Sequence, residues 1–110
     1  MLTSKDRAQM RTLDLHGAFV RRADLSGASL RGANMIKVDA TNAIFRGADF
    51  DGALLDGAIL KGADLTDAKN LTLDQLSRAI IDGKTALPAY IDRHELGLLP
   101  IDESIKIRGQ

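Results

Sequence analysis

A five-residue repeat that holds its phase from residue 13 to residue 70 restricts this chain more than any other feature. Every fifth residue from Leu15 reads Leu15, Val20, Leu25, Leu30, Met35, Ala40, Phe45, Phe50, Leu55, Leu60, Leu65 and Asn70, and eleven of these twelve are apolar. Two places earlier stand Leu13, Ala18, Ala23, Ala28, Ala33, Val38, Ala43, Ala48, Ala53, Ala58, Ala63 and Ala68; ten of the twelve are Ala. Two places after the large residue, Gly recurs at 17, 27, 32, 47, 52, 57 and 62. The unit is therefore Ala-x-Leu-x-Gly, seen cleanly as A-D-L-S-G at 23–27 and A-D-F-D-G at 48–52.

This period excludes the common folds. An α-helix needs apolar spacing near 3.6 and loses about 1 kcal/mol per Gly, so seven glycines would melt it. Ordinary strands alternate with period two, which an odd period breaks in every repeat. An odd period demands a turn within each unit. The small and large residues, two apart, then point to the same side. The three residues between one large residue and the next small one make a corner, and Gly at the second of them suits a turn with φ > 0. Four corners close a square coil of twenty residues. Ala fits the small position because a narrow coil leaves room for a methyl group. Composition agrees: Phe19, Phe45, Phe50 and Tyr90 are the only aromatic residues, too few for a conventional core.

The repeat resembles the pentapeptide-repeat family, whose unit is small-polar-large-x-x with Asp or Asn before the large residue. Asp14, Asp24, Asn34, Asp39, Asp49 and Asp64 occupy that polar slot here. The departures are Ala40 at a large position and Phe19, Ser29, Ile44, Leu54, Ile59 and Lys69 in the slot. The resemblance implies an all-β solenoid, a right-handed quadrilateral β-helix of about three coils with short helical caps. The large residues then stack as Leu15/Met35/Leu55, Val20/Ala40/Leu60, Leu25/Phe45/Leu65 and Leu30/Phe50, with Val38 offsetting the light spot at Ala40.

Short solenoids need covered ends. Residues 1–12 lack the repeat and predict an N-terminal cap, a turn or two of helix in 3–11 with Met10 plugging the first coil. The repeat occupies 13–70. Thr72-Leu73-Asp74-Gln75 is a capping-box pattern, Leu73, Leu76 and Ile80 follow at helical spacing, and Gly83 suits a stop. The spacing predicts a capping helix over 73–82 within a 71–83 cap. The run N-L-T-x-x-Q-L with T-x-L-P at 85–88 is similar to endings in the family. Residues 84–110 hold too many apolar residues for a disordered tail and are expected to fold back on the coil or to bind a partner.

Chemistry is sparse. Fifteen basic and fifteen acidic residues balance, which argues against generic nucleic-acid or anionic-membrane binding. Cysteine is absent, so there is no thiol nucleophile, thiolate site or disulfide. His94-Glu95 lacks the second His of a zinc-protease helix, and Asp49-x-Asp51-Gly52 is two repeat units rather than a calcium loop. No enzyme activity, cofactor or metal is expected. The first residues turn charged at once and no apolar run is long enough to span a bilayer, so the expected setting is the cytoplasm of a bacterium.

The outward positions are more telling. Six basic residues against eight acidic ones lie between 13 and 68, and no single-sign stripe emerges when the four faces are written out. Phe19 and Ile59 fall in one column with Asp39 between them; Ile36 and Leu54 sit on the preceding face and Ile44 on the next. With Leu76 on the helix, Phe19, Ile36, Leu54 and Ile59 form the candidate interaction surface, since exposed apolar patches mark interfaces. The expected function is a non-catalytic protein–protein interaction scaffold. Two alternatives accompany it: a DNA-mimicking binder of DNA gyrase or another DNA-binding protein, which the resemblance suggests, and a structural subunit of a larger assembly. A homodimer through the 73–82 helix is expected if that helix leaves its apolar face exposed.

Overall fold

The structure is a computed structural model that describes residues 13–96. From 13 to 68 each repeat spends three residues extended and two in a corner. Parallel bridges Asp14–Asn34, Phe19–Asp39, Asp24–Ile44 and Ser29–Asp49 join consecutive coils, and the next set joins Asn34–Leu54, Asp39–Ile59, Ile44–Asp64 and Asp49–Lys69. The register is twenty residues, and the coil has four sides. Each rung is a single bridged residue rather than an extended strand, because the two corner residues leave only three per side.

The corners close by a bond from each small residue's N–H to the preceding large residue's carbonyl, as in Ala18 to Leu15 at 2.8 Å and Ala43 to Ala40 at 3.0 Å. The second corner residue has positive φ throughout, as a type II turn requires. Seven corners use Gly; Arg22, Lys37, Asn42 and Asp67 take the same backbone at φ of 59–61°. Between corners, the large residue's N–H donates to the coil above and the slot residue's N–H to the coil below: Met35 to Leu54 at 2.9 Å, Asn34 to Leu13 at 2.8 Å.

Burial follows the repeat. Ala33, Ala43, Ala48, Ala58 and Ala63 are fully buried beside Met35, Phe45, Phe50, Leu55, Leu60 and Leu65. Phe45 and Phe50 meet around a corner, with ring centroids 5.4 Å apart and planes tilted by 59°. Ala40 and Val38 are both fully enclosed. The expected N-terminal cap, including Met10, lies outside the described residues.

The C-terminal cap differs from the spacing-based expectation. Helix α1 covers only Leu73–Arg78. Its start has the full capping box, the Thr72 hydroxyl accepting from the Gln75 N–H and the Gln75 side chain from the Thr72 N–H. Its end comes early because the open edge of the last coil competes for the backbone. Ala79 is extended, and Ile80 forms a rung above Ile59, donating to the Ala58 carbonyl at 2.8 Å and accepting from the Leu60 N–H at 2.7 Å. Ile80 is thus a solenoid residue and Gly83 part of a turn, not a helix stop. Ala86 adds a further rung over Asp64, and a 3₁₀ turn follows at Arg93–Leu96.

Side chains cover the rest of that edge. Gln75 Nε2 donates to the carbonyls of Phe50 at 2.8 Å and Ala53 at 2.9 Å. The Thr85 hydroxyl donates to Leu60, and the Tyr90 hydroxyl donates to Ala68 while accepting from the Leu71 N–H. The Arg93 guanidinium pins the cap internally, on the carbonyls of Asp82 and Thr85.

Gln75→Ala removes about three hydrogen bonds at roughly 1 kcal/mol each, so urea unfolding should show a loss of about 3 kcal/mol. At the corners, Gly27→Ala meets no neighbour and should cost only the left-handed strain, about 1–2 kcal/mol. Gly62→Ala sets a Cβ against Asn42 Oδ1, so the Asn42 side chain must turn aside and the cost should be slightly higher in the same assay, the excess vanishing in an Asn42→Gly background.

Candidate interaction surface

The outward slot before each large residue has a structural task. Corner turning leaves the first corner residue's N–H facing outward, away from the coil-to-coil ladder. Wherever the slot holds Asp or Asn, its Oδ1 accepts that N–H: His16 to Asp14, Ser26 to Asp24, Ile36 to Asn34, Thr41 to Asp39, Asp51 to Asp49 and Thr66 to Asp64, all at 3.0–3.2 Å. These are Asx turns, and they explain why short carboxylates and amides suit the slot. An apolar residue there forgoes this bond, so Phe19, Ile44, Leu54 and Ile59 are the outward residues that the coil itself does not require.

Those residues fall as follows. Phe19 is 81% exposed and Leu54 48%. Ile36 and Ile59 are half-buried. Phe19 and Ile59 share the second face, with Asp39 as the rung between them, while Leu54 stands on the first face above Asn34. Leu76 is fully buried under the last coil and offers nothing to a partner, which corrects its place in the candidate surface. The apolar face expected of a longer helix is reduced to Leu73, 36% exposed. Ile80, 43% exposed, joins the column of Phe19 and Ile59. Sequence spacing missed it, because that spacing assigned Ile80 to the helix.

Charges follow a second rule. An Arg in the first corner position reaches the slot Asp eighteen residues on: Arg21 to Asp39 at 2.8 Å, Arg31 to Asp49 at 3.2 Å, Arg46 to Asp64 at 3.0 Å. Exposed pairs of this kind contribute about 0–1 kcal/mol, so their main effect is to neutralise acids locally. Arg31 also meets Asp51, and Arg78 meets both Asp56 and Asp74. What remains is uneven. The corner between the second and third faces stacks Arg21 and Arg22, then Thr41 and Asn42, then Lys61 and Gly62, with no carboxylate at a corner position. The sequence shows Arg21 and Arg22 together at this corner; the structure adds Lys61 to the same stack, with Asp82 above it accepting from the Gly62 N–H.

Four slot carboxyls, those of Asp24, Asp39, Asp49 and Asp64, are held below the usual range. Asp24 is lowered by the Ser26 hydroxyl and N–H. The Thr41 hydroxyl lowers Asp39 against the opposing effect of burial, helped by the Thr41 N–H and Arg21. Asn70 does most for Asp49, with the Asp51 N–H and Arg31, and Thr66 does most for Asp64, with Arg46. No cluster of His and acidic side chains among the described residues is arranged to hold a metal ion. No helix among them is long and apolar enough to cross a membrane.

The sequence matches the family described as Pentapeptide repeats (8 copies) over residues 8–47 and 33–69. The chain belongs to the pentapeptide-repeat family. A pentapeptide repeat protein (Rfr23) from the cyanobacterium Cyanothece 51142 is similar in structure, with a TM-score of 0.61 and 26% identity, over 71% of this chain and 52% of that one. A pentapeptide repeat protein of the Arabidopsis thaliana thylakoid lumen aligns at 28% identity and a TM-score of 0.32, over 69% of this chain and 55% of that one. One from Nostoc Pcc 7120 aligns at 22% identity and a TM-score of 0.30, over 78% and 83%. This chain spans about half the length of the first two. No curated protein matches the sequence. Pentapeptide-repeat proteins are known as quadrilateral β-helices and are generally non-catalytic structural or interaction proteins.

The lowered carboxyls set the acid response. Groups whose pKa falls on folding stabilise the fold fully above the unfolded value, about 3.9 for Asp, and that stabilisation is lost as pH falls through the folded value. Thermal midpoints should therefore stay level from neutral pH down to about 5 and drop below about 4. Asp39→Asn with Asp64→Asn should flatten that drop while keeping the Oδ1 acceptors.

Proposed function

We propose that this protein is a non-catalytic interaction scaffold, a right-handed quadrilateral β-helix of about three coils whose working face is the second one. One observation carries the reading. Phe19 stands 81% exposed on a rigid rung, in a slot where Asp or Asn would complete the corner. Ile59 and Ile80 extend the same column. The partner is a protein, because the column offers apolar contact on a fixed backbone and no reactive group. Gyrase binding by DNA mimicry would need an acidic face; the second face and its basic corner have the opposite sign, and Asp39 is neutralised by Arg21.

The decisive comparison uses variants that suit the repeat. Phe19→Asn and Ile59→Asn restore the slot acceptor for the Arg21 and Lys61 N–H groups, so stability should be unchanged or higher by up to about 1 kcal/mol per site. Tagged wild type, this double variant and Leu54→Asn on the first face are used to capture partners from lysate. A protein held by wild type and Leu54→Asn but lost from the double variant is the expected result. Equal capture by all three would contradict the assignment of this face.

A further inference from the structure

We infer that the partner docks through an acidic segment carrying an apolar anchor, laid along the second face and the corner beside it. The inference rests on the scaffold reading above and adds the chemistry of the partner. Its apolar half is the column Phe19, Ile59 and Ile80. Its charged half borders that column on both edges. Lys37 occupies the corner before the face, and Arg22 and Lys61 occupy the corner after it, all three exposed. No carboxylate among the described residues pairs with any of them.

Of the nearby acids, Asp56, half-exposed in the corner that holds Lys37, pairs with Arg78 at 3.5 Å, and Asp39 and Asp82 are engaged inward. Asp39 is 8% exposed, bonded to the Thr41 N–H and hydroxyl and to Arg21. The Asp82 Oδ1 above Lys61 accepts from the N–H groups of Gly62 and Lys84 and from the Thr85 hydroxyl. The surface met by an approaching partner is therefore cationic although the chain is neutral. Rungs lie about 4.8 Å apart, so Phe19 and Ile59, two rungs apart in one column, are separated by about 10 Å. That span matches roughly three residues of extended peptide, at about 3.3 Å each.

A peptide fits this layout better than a nucleic acid. Phosphate backbones seek broad cationic surfaces with several contacts. Here the third face, next to the basic corner, carries Asp24, which makes no ion pair among the described residues and would repel a phosphate laid across it. Half of the surface is apolar, which a peptide side chain fills. An interface with a buried apolar centre and a charged rim gains its specificity from complementary charge.

The test is selection of a random dodecapeptide library on the immobilised full-length protein, followed by affinity measurements on the enriched peptides. The expected peptides place Asp or Glu beside Phe, Leu or Ile. Their affinity should fall several-fold between about 50 and about 300 mM salt, and about tenfold or more on Arg22→Glu/Lys61→Glu and on Phe19→Asn/Ile59→Asn. Peptides lost from the Phe19/Ile59 variant but unaffected by charge reversal would overturn the acidic partner and leave the scaffold reading standing. Peptides indifferent to both variants would overturn both. Failure to enrich acidic–apolar peptides, or tighter binding of a DNA duplex or of phosphatidylglycerol vesicles, would overturn the inference.

Discussion

Each side of the coil ends where one residue turns left-handed and the next small residue's N–H returns to the carbonyl three places back. This bond recurs at 2.8–3.2 Å from Ala18 to Ala68. It keeps each side to three residues, so each rung offers one outward slot and two inward positions. The inward pair meets the opposite walls of a narrow tube, which is why Ala recurs at the first inward place and larger residues at the second; Val38 is fully buried in the first place where Ala40 leaves room in the second. The left-handed backbone favours Gly, yet four corners adopt it without Gly. Such residues carry strain of about 1–2 kcal/mol, and three of them, Arg22, Lys37 and Asn42, border the face assigned to binding.

The corner also determines what the surface can do. Turning exposes one N–H per side, and Asp or Asn in the slot satisfies it. Residues that leave it unsatisfied give up a hydrogen bond of about 1 kcal/mol. Phe19 and Ile59 do so in the same column, and Ile80 continues them. A face that spends local stability on exposed apolar groups is a face where contact with another molecule is the natural return. The Arg21–Asp39 pair neutralises the slot acid of this face, and among the described residues Arg22, Lys37 and Lys61 have no carboxylate partner.

Much of this can be read from the sequence, because period five and a small-polar-large unit admit few backbones. The column of Phe19, Asp39 and Ile59 follows from arithmetic alone once the coil is set at twenty residues. Other features do not follow from the period. The helix predicted to run to residue 82 stops at Arg78 because the unpaired edge above Ile59 draws Ile80 into a rung, a long-range competition that local spacing does not register. Leu76, placed in the candidate interaction surface, is buried because the helix packs it into the core of the solenoid. The Asx bonds carry a local signal, Asp or Asn two places before the corner N–H, that counting slot residues as merely polar overlooks. Arg21 and Arg22 are legible as a basic corner in the sequence, and Lys61 joins them once the coil is set at twenty residues.

Amide hydrogen exchange at the first corner positions tests most directly the claim that slot residues divide into those the coil needs and those it leaves for contact. Ser26, Ile36, Thr41, Asp51 and Thr66 have a slot acceptor; Arg21, Arg46, Asp56 and Lys61 have none among the described residues. After correction for intrinsic rates, the first group should exchange several-fold more slowly than the second, in line with a bond of about 1 kcal/mol. Equal rates in the two groups would contradict the account, since Asp and Asn would then contribute nothing that Phe19 and Ile59 lack.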